Sequence, residues 1–136
     1  MEQITIHAHS EAPIEKIWEY WTKPAHITKW CYTSDDWCAP HATNDLRVGG
    51  IFTTRMESKD GTQGFDFGGT YTEVIPYEKI SYQIADGRMV HVVFEKTDTG
   101  YTIIESFNPE GENPTEMQRA GWQSILNTFV SYVASH

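Results

Sequence analysis

Apolar residues recur along this chain at every second position, then every third or fourth, then every second again. Residues 3–9 alternate, with Ile4 and Ile6 on one face and His7 and His9 on the other, which predicts a half-buried strand with exposed histidines. Ile14, Ile17, Trp18 and Trp21 follow helical spacing behind Pro13, a residue suited to a first helical turn because its missing N–H is not needed there. Pro24 stops that helix and starts a second short one, AHITKW, ending near Trp30. Residues 31–44 carry no clean period and read as a loop. Strand-like stretches follow at 51–57, 65–75, 79–84, 89–96 and 101–107, separated by turn signals of which Asp86-Gly87 is the strongest. Behind Pro114, the positions Met117, Gly121, Trp122, Ile125, Phe129 and Val133 lie three or four apart and predict a long C-terminal helix, with Leu126 and Val130 beside the stripe.

The order is one strand, two short helices, about five or six antiparallel strands and one long helix, an α+β arrangement. The broad apolar face of the last helix needs a partner, and the sheet is the only large surface available, so the sheet should curve around the helix. Such a grip tends to leave a gap, and small ligands bind in gaps. Phe52, Thr54 and Met56 alternate on one strand, and Ile80, Tyr82 and Ile84 on another. Val90, Val92 and Phe94 do so on a third, and Thr102, Ile104 and Ser106 on a fourth. One face of each must meet the helix, where Trp122, Ile125 and Phe129 form the natural opposing wall. Gly121 next to Trp122 is expected to let the helix approach the sheet closely.

A length of 136 residues bounds this to one domain, 1–136, able to bury a core without disulfide or metal. Aromatic residues make up 13% of the chain, more than a small core needs, so some are expected to line a cavity. The net charge of −9 argues against nucleic acid and anionic membranes as partners. No long apolar run or secretory leader is visible, which makes a reducing cytoplasm and free thiols the expectation. No phosphate loop, nucleophile elbow, dinucleotide fingerprint or zinc-protease helix occurs, and no cofactor is expected. Gly49-Gly50 and Gly68-Gly69 read as kinks or bulges that bend the sheet.

The stretch HITKWCYTSDDWCAPH, residues 26–41, raises the question of a metal site. Its order is His26, Cys31, Cys38, His41, and six residues separate the cysteines. Structural zinc wants two to four. The expectation is therefore no metal, and a loop at the edge of a pocket, with Trp30 and Trp37 packing at the rim or closing the core.

The segments APIEKIWEYWTKPAHITKW, VGGIF, GGTYTEVIPYEKISY and AGWQSILNTF, in this order and spacing, resemble the activator-of-heat-shock-protein-90-ATPase homologue family of the START-like, or SRPBCC, superfamily. The resemblance spans nearly the whole chain. It implies a helix-grip fold, a seven-stranded antiparallel sheet around the C-terminal helix with a deep cavity between them. Members of the superfamily bind lipids, hormones or polyketides, and some are enzymes. The chaperone-activating members carry an additional N-terminal domain that this sequence does not show, so the family's name is not carried over as an activity.

The leading expectation is a hydrophobic or aromatic small molecule bound in that cavity by Trp30, Trp37, Phe52, Tyr82, His91, Trp122, Ile125 and Phe129, with Tyr82, His91 or Glu105 orienting it. The second is an enzyme in which His91 and Glu105, on neighbouring strands, do acid–base work, weighed against both simply facing solvent. The third is a protein-interaction module tied to chaperone regulation. A homodimer stays open, though no residue points to it.

Overall fold

The computed structural model describes residues 3–32 and 34–136; Met1, Glu2 and Thr33, the last inside the predicted loop, lie outside the described residues. The order is β1 (Ile4–Ser10), α1 (Ile14–Thr22), α2 (Pro24–Ile27), β2 (Trp37–Asn44), β3 (Ile51–Ser58), β4 (Gly64–Ile75), β5 (Lys79–Ile84), β6 (Met89–Lys96), β7 (Tyr101–Phe107) and α3 (Thr115–Ser135). The strands form one antiparallel sheet in the order β1-β7-β6-β5-β4-β3-β2. From β2 to β7 the chain is a plain meander. The helices α1 and α2 carry it from one edge of the sheet to the other. The sheet curves around α3, the helix-grip arrangement.

Local chemistry explains most of these elements. Pro13 caps α1 and Pro24 opens α2, each where no N–H is required. Asp86-Gly87 turns β5 into β6. Gly87 sits at φ +98°, open to glycine, and the Asp86 carboxylate accepts the Arg88 N–H at 3.1 Å. Bulges bend β2 between Cys38 and His41 and β4 between Tyr71 and Glu73. At the β1 edge, Arg119 and Gln123 of α3 donate to the free carbonyls of Thr5 and His7, both at 3.0 Å. Those bonds fasten the helix to the sheet and blunt the exposed edge.

Three expectations need correction. Residues 37–44 are not loop but the edge strand β2. Pro40 and the bulge remove the alternation by which a strand is recognised, and an edge tolerates both. In β7 the inward face is Ile103, Glu105 and Phe107, not Thr102, Ile104 and Ser106. A methyl added at Gly121 would meet nothing within 4 Å, so this glycine does not serve close packing.

The core is closed at one end of the grip. There Phe129, fully buried, meets Trp21 and Trp30 edge-on at ring distances of 4.9 and 4.8 Å. The Trp30 indole N–H is satisfied by the Tyr20 carbonyl at 2.9 Å. Ile17, Ile103 and Val133 are buried in the same core cluster. Toward the start of α3 the helix and sheet separate.

Candidate functional site: the cavity under the long helix

The separation leaves a cavity of about 380 Å³. Its sheet side is built by side chains on one face of successive strands: Phe52, Thr54 and Met56 of β3, Phe65, Phe67 and Tyr71 of β4, and Ile80 and Tyr82 of β5. Glu105 of β7 adds a carboxyl. The helix side is Gly121, Trp122, Ile125 and Leu126, and Trp21, Ile27, Trp30 and Cys31 close the end. Met117, 62% exposed, stands at the mouth rather than in the core, with Arg88, Glu110 and Asn113.

Aromatic contacts give the walls their shape. Trp122 stacks on Phe107 with ring centroids 4.0 Å apart and meets Phe67 edge-on at 5.9 Å. Phe52 lies 4.7 Å from Tyr82 and 5.3 Å from Tyr71. The Tyr71 hydroxyl donates to Asn44 Oδ1 at 2.6 Å, and Asn44 Nδ2 donates to the Thr22 carbonyl at 2.6 Å. One asparagine thus ties the sheet edge, the cavity wall and the end of α1 together. At the mouth, Gln118 is buried and holds the loop before α3: it accepts from Glu110 N and donates to the Asn113 carbonyl, both at 2.8 Å.

Glu105 is the exceptional residue. Only 6% of it is exposed, and it lines the cavity. Its carboxyl makes no hydrogen bond or ion pair among the described residues. Its strand neighbours in register are Ile6 and Val92, both apolar. Loss of water around it pushes the carboxyl up to about 8, so at neutral pH it is largely protonated. Burial, and then the charge of Glu105, push the Cys31 thiol up to about 12. Tyr82 is raised well above its ordinary value by the same two causes in the same order.

Of the residues expected to bind a ligand, the structure gathers Trp30, Phe52, Tyr82, Trp122 and Ile125 around the cavity. Phe129 lies behind it in the closed core. Trp37, on β2, touches Phe65 at 6.0 Å outside the cavity wall. His91 is on the opposite face of the sheet from Val90 and Val92. There it bonds the Ser81 hydroxyl through Nδ1 at 2.7 Å. It belongs to a polar row, Thr5, Ser106, His91 and Ser81, that crosses four strands in register. His91 and Glu105 therefore face opposite sides of the sheet, and the acid–base pair considered from sequence is not assembled. Nor are the cysteines and histidines of residues 26–41. His26 bonds Tyr132 at 2.8 Å, Cys31 faces the cavity, and Cys38 and His41 lie on β2. Among the described residues no three potential ligands come together as a metal site.

Sequence reasoning did not pick out Phe67, Tyr71 or Cys31 as cavity residues. The alternation Phe65, Phe67 was a usable signal. Nothing local marked Cys31, which reaches the cavity only because α2 ends beside it.

Residues 11–134 match the family model described as Activator of Hsp90 ATPase homolog 1-like protein. An AHSA1-like protein from Aeromonas hydrophila, solved in solution, is 40% identical with a TM-score of 0.93 over 98% of this chain and 93% of its own. A protein from Cytophaga hutchinsonii is 51% identical, with a TM-score of 0.85 over 98% and 92% of the two chains. A protein from Nitrosomonas europaea, 18% identical with a TM-score of 0.84 over 98% and 94%, shares the fold. No curated protein matches the chain. Among the described residues no helix is long and apolar enough to cross a membrane.

Proposed function

Because the chain belongs to the Activator of Hsp90 ATPase homolog 1-like family, within the SRPBCC superfamily of helix-grip proteins, we propose that it is a binding module whose working part is the cavity under α3. The occupant is a small, largely apolar and aromatic-compatible molecule. The observation that carries this reading is a cavity of about 380 Å³ walled by aromatic and aliphatic side chains with a few polar groups, the composition typical of small-molecule sites. Apolar burial supplies the affinity, and the aromatic walls select flat or elongated shapes. Mass spectrometry of the purified protein, native and then denatured in one run, tests it. A non-covalent mass of a few hundred daltons, released on denaturation, is the expected result. Apoprotein that also fails to gain thermal stability from any member of a lipid, polyketide and aromatic panel would sink it.

The family match directly favours a second reading, a protein-interaction module related to regulation of a chaperone ATPase. It speaks for that role more plainly than for any small molecule. This reading expects co-purification with an Hsp90-class ATPase and a changed turnover of that ATPase on titration with this protein. An unchanged rate at saturating protein counts against it. The two readings separate cleanly, since substitutions inside the cavity should abolish the first activity and leave the second in place.

A further inference from the structure

The cavity is mostly apolar, yet among the described residues Glu105 and Tyr82, and with them the hydroxyl of Thr54, line it without a side-chain hydrogen bond. Glu105 is buried, faces the cavity and bonds to nothing among the described residues. The Tyr82 side chain, likewise buried and lining the cavity, makes ring contacts to Phe52, Phe67 and Tyr71, but among the described residues its hydroxyl has no hydrogen bond. The two interact electrostatically and are not bonded to each other. Among the described residues neither side chain counts as an enclosed polar group without a partner, so their oxygens open onto the cavity, where an occupant can pair them.

We propose that Glu105 and Tyr82 form the polar anchor of the cavity and donate hydrogen bonds to a neutral acceptor oxygen of the ligand, of the ketone, aldehyde or ester carbonyl class. The inference rests on the cavity-binding reading above and narrows it. A neutral carboxyl carries one O–H donor and a phenol another, so this pair offers two donors and no compensating cation. The titratable groups facing the cavity from the surrounding elements are Cys31, Tyr71 and Tyr82, with Arg88 and Glu110 at the mouth. Arg88 is engaged by Asp86 at 2.7 Å, and Glu110 by the Asn113 backbone N–H at 2.8 Å. Neither bonds Glu105. The raised carboxyl, at about 8, agrees with a donor role at neutral pH.

Three naphthalene probes of nearly one shape test the anchor by quenching of tryptophan fluorescence: 2-acetylnaphthalene, 2-isopropylnaphthalene and 1-(2-naphthyl)ethylamine. Below pH 7 the ketone should bind about tenfold tighter than the hydrocarbon, the worth of one or two hydrogen bonds. As pH rises past about 8 its affinity should fall by up to about tenfold in total, levelling off near that of the hydrocarbon, as the Glu105 donor proton is lost. Glu105→Gln keeps a neutral donor, so it should retain the ketone preference and lose the pH dependence. Glu105→Leu should lose the preference and still bind the hydrocarbon, which also shows that the variant is folded. Equal binding of ketone and hydrocarbon at every pH overturns the anchor and leaves the cavity reading standing. Tightest binding of the amine, strengthening through pH 8 and lost in Glu105→Gln, overturns the donor assignment and makes Glu105 a counter-ion. Failure of all three probes to bind overturns the anchor, and the cavity reading falls with it if the lipid, polyketide and aromatic panel also leaves the melting temperature unchanged.

Discussion

At the scale of the residue, the behaviour of this protein is set by what burial does to a few ionisable groups. Glu105 holds its proton up to about 8 in the folded chain, against an ordinary carboxylate value of 4.5. Between those limits the native state binds more protons than the unfolded state, so stability falls as pH rises. The slope attributable to this residue approaches about 1.4 kcal/mol per pH unit within that window. Denaturant titrations from pH 5 to 8 should show the loss, and Glu105→Gln should flatten it. The comparison of the two proteins isolates Glu105 from the surface carboxylates. Cys31 gives a second expectation. It is buried and its thiol is pushed up to about 12, whereas Cys38 is half-buried on an edge strand. A thiolate-seeking reagent at pH 8 should therefore label one cysteine quickly, Cys38, and reach Cys31 only on unfolding. Equal rates would mean that the closed end of the cavity opens freely.

At the scale of the element, glycines separate what the sheet requires from what the helix merely tolerates. A Cβ at Gly69 of β4 would lie 2.5 Å from the Gln83 carbonyl oxygen and 3.2 Å from the Tyr82 ring. Backbone cannot yield as a flexible side chain does, so Gly69→Ala should cost about 1–3 kcal/mol, as overpacking does. Gly121 lies mid-helix with open space around the same position. Gly121→Ala should raise helix stability by up to about 1 kcal/mol while taking a methyl's worth of room from the cavity. Calorimetry on both variants should show opposite signs. The contrast also explains what could be read in advance. The stripe of α3 and the hairpin at Asp86-Gly87 were legible because helix and turn chemistry are local. β2 was not, because Pro40, a bulge and an exposed edge erase its period.

At the scale of the whole molecule, the grip is closed at one end and open at the other. Phe129, Trp21 and Trp30 fill the first, and the cavity occupies the second. A ligand that binds only the folded state raises stability by about 2.7 kcal/mol at a hundredfold excess over its Kd. The melting temperature should therefore rise with a cavity ligand. Ile125→Trp, which puts an indole into that space, should abolish the ligand-dependent rise while the variant still melts cooperatively. An undiminished rise would place the ligand elsewhere.

The sequence by itself determined the order of elements, the grip of sheet on helix and most of the aromatic wall. Those follow from periodicity, turn residues and the need of α3 for an apolar partner, all carried by neighbours along the chain. Only the tertiary structure decided the phase of β7 and hence the direction of Glu105. The segment YTIIESF has apolar residues on both faces, and pairing with Ile6 and Val92 is what turns the carboxyl inward and sends His91 out to the polar row. A one-residue slip exchanges the two faces of a strand, so a side chain's face is settled by register with its neighbours rather than by its own sequence. That is why the fold was legible early, and why the chemistry of the cavity had to wait for the assembled sheet.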